Sequence, residues 1–535
     1  MFKQLLTPVG DSLPLSFLVA ALPILTVLVL LGAFRRPAWL ASLGGLAVGL
    51  ATAIIVWKLP LTLALSAVAN GAVFALWPVM WIVLAALLLY NIAVVSGRFE
   101  AFRSWLLTNV PNDRRIVLIV IGFCFGALLE GVAGFGTPVA ITGSLLILVG
   151  FPPTEALVLV LIFDTAPVAF GALGAPVTVL GSVTGLPTHA LAAMIGRQLP
   201  VMAAILPFYV MALYGGWRSI RALWPVLLVA GLSFAAAQFA ASNYIDYTLT
   251  DVLASLFSLL ATLAFLRVWR PRPDPAFAIG DDLERELRAG APPAWQGWLP
   301  WAIISATVVL WTTFKVASIG QRDIHWPLLD KAISITLYHD KPYAAVWTFQ
   351  PLATGTAILL AAIITAAAVR LSPAAFVSCA GQTVRQAWKA VVTVMLIVGL
   401  AYLMNYSGLA YTLGLGAAST GHAFVLLSPF LGWVAVMLSG SDTSGNALFG
   451  NLQVVAANQL NLNPVLFAAT NSSGGVMGKM ISPQNIATGV SVTGMTGQEG
   501  QIFARTFPHS IVLTLILGAL VAAQQFLIPW IIPTH

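Results

Sequence analysis

The chain has 535 residues, of which 59% are hydrophobic and 8% charged, against roughly 45–50% and 25% in soluble globular domains. A water-facing surface cannot be built from 25 basic and 18 acidic residues over such a length, so soluble enzymes, nucleic-acid-binding proteins and secreted disulfide scaffolds are excluded and a polytopic membrane protein is expected. The net charge of +7 calls for no acidic partner, because Arg and Lys fall in short loops between apolar runs, where cytoplasmic anchoring accounts for them.

The first apolar run, 13–34, follows Lys3 alone and precedes Arg35 and Arg36, the reverse of a cleavable signal's charge order. It reads as a retained span with the N-terminus outside. Arg98, Arg103, Arg114 and Arg115 then return to the cytoplasmic side, and Arg218 with Arg221, the stretch Arg267 to Arg288, Arg370, and Arg385 with Lys389 extend the assignment. The loop holding Lys315, Arg322, Lys331 and Lys341 is the exception, and it also carries Asp323, Asp330 and Asp340. Further apolar runs cover 39–57, 71–96, 116–129, 137–150, 154–170, 189–214, 222–242, 248–268, 297–318, 343–369, 387–404, 421–439, 447–459, 464–480 and 508–532. A run of about 13 residues covers roughly 20 Å of a 30 Å hydrocarbon core. The runs 116–129, 137–150 and 447–459 are therefore expected as half-helices or re-entrant hairpins, beside roughly 12 to 14 full crossings. Cys124 and Cys379 lie in apolar or weakly amphipathic contexts and indicate neither a disulfide framework nor a metal site. Seventeen Trp and ten Tyr fit anchoring at the membrane interface among lipids.

The polar stretch Arg270 to Pro293, with Pro271, Pro273 and Pro275 and then an amphipathic segment from Asp281 to Arg288, reads as a cytoplasmic linker. It divides the chain into an N-terminal half, 1–268, a linker, 269–296, and a C-terminal half, 297–535. Backbone that is not expected to be ordinary helix lies at Glu130 to Pro138 and Asp164 to Pro176, and again at Ser439 to Asn446 and Asn471 to Pro483. The spacings match: Asp164 to Pro176 and Asn471 to Pro483 are each 12 residues, and Gly134 to Pro153 and Gly445 to Pro464 are each 19. Each block ends in a similar tag, Gly181 to Leu186 and Val490 to Met495. Pro153 to Asp164 is 11 residues but Pro464 to Asn471 is 7, so the repeat carries one deletion of about a helical turn. Two repeat cores, about 116–215 and 421–500, with Gly- and Pro-interrupted apolar segments in corresponding positions point to a secondary transporter and its binding site. The alternative for the glycines is close packing of membrane helices through small residues.

Interrupted backbone at membrane depth must line a cavity or be satisfied by protein, and half-helix N-termini suit a carboxylate. The candidate binding groups are Gly134, Gly136, Thr137, Thr165, Ser441, Thr443, Ser444, Asn446, Asn471, Ser472, Ser473, Gln484 and Asn485. Four ionisable residues fall inside the blocks, each a functional candidate because such groups are costly in a membrane: Glu130, Asp164, Asp442 and Lys479. Lys479 either binds a substrate carboxylate or pairs with one of the three acids. Glu130, Asp164 and Asp442 are candidate proton carriers, Glu130 first. Glu155 reads as a first-turn residue of a helix opened by Pro153. Arg197 either neutralises a carboxylate or snorkels at a helix end, and His189, His422 and His509 have no partner at metal-ligand spacing. No metal ligand set, nucleophile–base pair or dinucleotide fingerprint is found.

The runs from Leu129 to Ala140, Phe163 to Val177, Ser439 to Gly450 and Ala469 to Ile486 resemble the L-lactate permease family of bacteria, and length and layout are similar over essentially the whole chain. The resemblance implies a proton-coupled importer of L-lactate, with D-lactate and glycolate as further 2-hydroxy monocarboxylate substrates, in the bacterial inner membrane. It also implies an all-α fold of two inverted repeats whose paired hairpins and broken helices form the site, with an elevator-like motion by analogy. No cofactor is called for beyond the coupling proton. Sodium stays open as the coupling ion, because the same oxygen-rich segments suit it. The stretch from Ile319 to Tyr343 matches no motif, and nothing in the sequence sets an oligomeric state.

Overall fold

The computed structural model describes residues 1–34, 36–132, 134, 137–279, 294–493, 495 and 497–533. Among the described residues, nine helices are long and apolar enough to cross a membrane, or ten if the bent pair Pro153–Phe163 and Val168–Thr184, which meet at 65°, makes one span. Even with the 58-residue stretch Thr188–Ile245, counted once here, taken as two crossings, this is fewer than the roughly 12 to 14 expected from run length alone. The runs 343–369 and 464–480 shrink to helices of 15 residues, Thr354–Ala368, and 16 residues, Pro464–Lys479. The first loses its beginning to a β-strand, and the second is bounded by Pro464 at its start and a break before Pro483 at its end.

The stretch Thr188–Ile245 holds two apolar runs in 58 residues, interrupted at Gly216 with φ 65° and ψ −171°. A Cβ on Gly231 would fall 2.7 Å from the Ala204 carbonyl oxygen. On one straight helix those residues would stand about 40 Å apart, so the chain folds back on itself at Gly216, a conformation open to glycine.

Two of the three expected half-helices are corrected. The run 116–129 belongs to the helical stretch Arg114–Val132, 19 residues long and wholly buried. It lengthens beyond the apolar run because protein satisfies its polar start. Asp113 caps it by accepting from the Arg115 backbone N–H, and the buried Arg115 guanidinium meets Asp113 at 2.6 Å and Asp274 at 3.6 Å. The run 447–459 is the second part of an 18-residue helix, Asp442–Gln459. The run 137–150 forms a short helix, Thr137–Leu148.

The block Asn471 to Pro483 is also less broken than expected, since Asn471 to Lys479 complete the helix Pro464–Lys479. The glycines there serve close approach to the helix Phe424–Ser439: a Cβ on Gly474 would stand 2.1 Å from the Pro429 carbonyl oxygen, and one on Gly478 2.2 Å from that of Trp433. Small residues let two backbones touch where lipid gives no hydrophobic drive for association. Leu15, Leu18, Leu22, Leu25 and Val29 point outward from the helix Leu13–Gly32, as a lipid-facing stripe requires.

The fold is not purely helical. Phe2–Lys3 pairs parallel with Ile333–Ile335, which pairs antiparallel with Lys341–Pro342, and Arg322–His325 pairs antiparallel with Val346–Phe349. The Lys3 ammonium meets Asp340 at 2.6 Å. The N-terminus and the stretch from Ile319 to Tyr343 therefore share one face. Arg114 instead donates to the carbonyls of Gly150 at 3.0 Å and Ala276 at 2.8 Å, fastening the beginning of the linker to the beginning of the Arg114–Val132 stretch. The amphipathic segment from Asp281 to Arg288 lies outside the described residues.

Candidate functional site

Two helix breaks of the N-terminal half meet each other. Gly134 has φ +55°, and a Cβ on it would lie 3.3 Å from that of Ala172, which begins a left-handed run continued by Leu173 and Gly174 at φ 56° and 75°. Glu130, one turn before Gly134, lies against Gly171, where an added Cβ would come 2.8 Å from its Oε1. Gly136 lies outside the described residues; Thr137 opens the helix Thr137–Leu148.

Lys479, the last residue of Pro464–Lys479, enters this place from the other half. Its ammonium donates to Glu130 Oε1 at 2.5 Å and lies 3.3 Å from Asp164 Oδ2, all three side chains being buried. Lys479 is thus an ion-paired cation in this conformation, with two acids from the N-terminal half and, among the described residues, none from its own. One ammonium facing two carboxylates leaves the group one negative charge in excess if both acids are ionised.

Two turns back on the same helix face, Ser472 donates to Asp442 Oδ2 at 2.5 Å, and Asn446 Nδ2 donates to the same oxygen at 3.2 Å and to the Pro176 carbonyl at 3.2 Å. Asn471 Nδ2 donates to Asn446 Oδ1 at 3.0 Å and to the Gly445 carbonyl at 3.2 Å. Gln453 closes the ladder by donating to Asn471 Oδ1 at 3.3 Å and to the Ser428 carbonyl at 2.9 Å. This network ties the helix Asp442–Gln459 to Pro464–Lys479 and, through Pro176, to the break of the other half. Ser473 Oγ, Asp442 Oδ1 and Asn485 Oδ1 are buried without a hydrogen-bond partner among the described residues.

Two helix N-termini lie side by side. Ser441 caps Asp442–Gln459 by accepting from the Ser444 N–H at 3.3 Å, and Ser482 caps Pro483–Val492 by accepting from the Asn485 N–H at 3.2 Å. A Cβ on Gly440 would fall 2.9 Å from Gln484 Oε1 and 3.2 Å from Ser482 Oγ. Ser441, Ser444 and Gln484 line a cavity of about 940 Å³ that reaches the exposed Arg36 and Lys389. The expected break at Ser439 to Asn446 is confined to Gly440 and Ser441, since Asp442 through Asn446, Thr443 included, are helical.

Thr165 is buried but spends its hydroxyl on the Ile162 carbonyl at 2.7 Å. Asn485 Nδ2 reaches the Lys479 carbonyl at 3.3 Å. Arg197 is held by Asn243 at 2.9 Å and by the Ile531 carbonyl, and His509 lies 2.7 Å from the Tyr209 hydroxyl. Sequence reasoning missed Gln453, whose amide sits mid-helix with no break nearby to mark it. It also missed Asp251, which opens an apolar run and has the look of an interfacial first-turn acid, yet is 1% exposed.

A family model described as L-lactate permease matches residues 16–528. The L-lactate permease of Escherichia coli (strain K12) is 41% identical over 553 residues, covering 100% of each chain. Glycolate permease GlcA of the same strain is 39% identical, covering 98% of each. Among solved structures, MtrF of Neisseria gonorrhoeae matches at TM-score 0.47 and 16% identity, over 86% of this chain and 83% of that one, too loose a likeness to bear on function. The full-length match places the chain in the L-lactate permease family, multi-pass membrane transporters rather than enzymes.

Proposed function

We propose that this protein is a secondary active transporter that imports L-lactate together with protons across the bacterial inner membrane, with D-lactate and glycolate as further substrates. The observation that carries the reading is the buried Lys479, held by two acids of the other half beside breaks in the helices, in a chain of the L-lactate permease family. A relative named a glycolate permease supports the wider substrate range. The two halves act as inverted repeats, with the substrate between their broken elements near the midplane. The lactate carboxylate exchanges for a carboxylate on Lys479 and meets N–H groups at the capped helix starts, while Asn471, Ser472 or Asn485 meets its hydroxyl. Glu130, Asp164 and Asp442 are the acids through which the proton passes, since an acid freed from its partner in a dry site gains a proton.

The test is uptake of labelled L-lactate into proteoliposomes of the purified protein, under a pH gradient or a sodium gradient imposed separately. Accumulation driven by the pH gradient alone is the expected result. Accumulation only with sodium would make the unwound, oxygen-rich segments cation sites instead, and no uptake under either would overturn the substrate.

A further inference from the structure

The helix Thr250–Val268 bears one acid in its first turn, Asp251. Its side chain is buried, and among the described residues neither carboxyl oxygen meets a hydrogen-bond donor. A Cβ on Gly131 would fall 2.8 Å from the Cβ of Asp251. The bare backbone at Gly131 is therefore what seats Asp251 against the stretch Arg114–Val132, one residue from Glu130. The charges that act on it are Glu130, Asp164 and Lys479. Other titratable groups nearby on the elements packed around this helix are occupied: Cys124 faces Ser258 at 3.3 Å, and Tyr247 faces Thr178 at 3.1 Å.

The acids of the site differ in what satisfies them. Glu130 and Asp164 share the Lys479 ammonium, and Asp442 accepts from Ser472 and Asn446. Among the described residues Asp251 has neither a cation nor a donor for its carboxyl, and the Lys479 ammonium is already shared. Ionised, it would be an unpaired buried charge next to a group in which one ammonium already faces two carboxylates, and burying such a charge is costly. The start of its helix offsets only a small part of that cost. A protonated carboxyl avoids the cost.

We propose that Asp251 is a proton-carrying residue of the transport cycle, holding the proton in this conformation beside the Lys479–Glu130–Asp164 group. The proposal rests on the proton-coupled reading above. Its carboxyl takes up a proton that reaches it from water through the paired acids when the site opens to the outside, and the O–H bond breaks to return that proton through them to water on the inside. The paired acids set the field that makes release depend on whether Lys479 faces an acid or a substrate carboxylate.

The experiment compares the native protein with Asp251→Asn, which keeps the shape of the neutral acid, and with Asp251→Ser, as a second variant should the first fail to fold. Proteoliposomes are assayed for accumulation of labelled L-lactate in a pH gradient, for exchange of labelled against unlabelled L-lactate without a gradient, and for the pH dependence of exchange. The expected result is loss of accumulation, retained exchange, and an exchange rate that no longer varies with pH as the native rate does. Native accumulation in either variant would overturn the proposal. So would loss of exchange together with accumulation in a variant that elutes as the native protein does, because Asp251 would then belong to the substrate path or the packing. Failure of the native protein itself to accumulate L-lactate in a pH gradient would instead remove the proton-coupled reading beneath it.

Discussion

Lys479 is the side chain on which the two halves of the molecule depend electrostatically, since its ammonium is the cation shared by Glu130 and Asp164. Removing one partner of a buried ion pair leaves an uncompensated charge and costs about 3–5 kcal/mol. Lys479→Met is expected to lower unfolding stability in detergent by about that amount, and adding Glu130→Gln is expected to recover part of it, because one orphaned carboxylate is then gone. Unfolding curves for the single and double variants read this coupling directly. A single variant as stable as the native protein would show the pair to be energetically idle.

At the aqueous face, Asp330 accepts from the Ala345 backbone N–H at 2.8 Å and lies 2.8 Å from His325 Nδ1. The backbone N–H first, and the imidazole beside it, hold its carboxyl below the ordinary carboxylate range. A depressed value in the fold means that the stabilisation is present above the unfolded value of about 3.9 and fades as pH falls through the folded value. The segment around Ala345 is expected to lose hydrogen-exchange protection in acid, and Asp330→Asn to be less protected already at neutral pH. Protection that is the same in both chains at neutral pH would contradict this.

The helices Phe424–Ser439 and Pro464–Lys479 touch backbone to backbone, and their glycines can be read in two ways from the sequence alone. Gly-rich segments mark both broken helices and tightly packed ones, so 471–479 was legible as special but not as continuous helix. In the N-terminal half the same pattern does break the helix, at Gly134 and at Ala172 to Gly174. What separates the two outcomes is the neighbour. Gly474 and Gly478 have carbonyls of Pro429 and Trp433 against them, whereas Gly134 and Gly174 have positive φ. That information is tertiary, and no local spacing carries it. A Cβ at Gly478 must push two backbones apart, so Gly478→Ala is expected to cost about 1–3 kcal/mol and to reduce transport. Gly381, exposed in the helix Pro373–Ser407 with nothing within 4 Å of an added Cβ, is the control: Gly381→Ala is expected to be neutral or to stabilise by up to about 1 kcal/mol. Thermal unfolding of both variants tests the contrast, and equal shifts would refute it.

At the scale of the whole molecule, polar residues within apolar runs were legible as candidates, and the fold brings Glu130, Asp164 and Lys479 into one group and Asp442, Asn446, Asn471 and Ser472 into another. Asp251 was not, because an acid at the start of a run looks the same whether it faces headgroups or the protein interior. The cavity was not legible either, since it is built from segments as distant in sequence as Arg36, Lys389 and Gln484. Its lining bears two basic residues, Arg36 and Lys389, against one acid, Glu499, and includes Ser441 and the exposed Gln484, so a net positive charge lies by the paired helix starts, an arrangement that suits an anion. If the basic loops mark the cytoplasmic side, this conformation is open inward. Gln484→Cys offers a direct test, because Cys124 and Cys379 are buried and give little background to a membrane-impermeant thiol reagent. Labelling is expected in inside-out vesicles and not in right-side-out ones, and L-lactate is expected to slow it. Labelling only from the outside would reverse the orientation of the chain. Labelling untouched by lactate at saturating concentration would place the substrate elsewhere than beside the two capped helix starts.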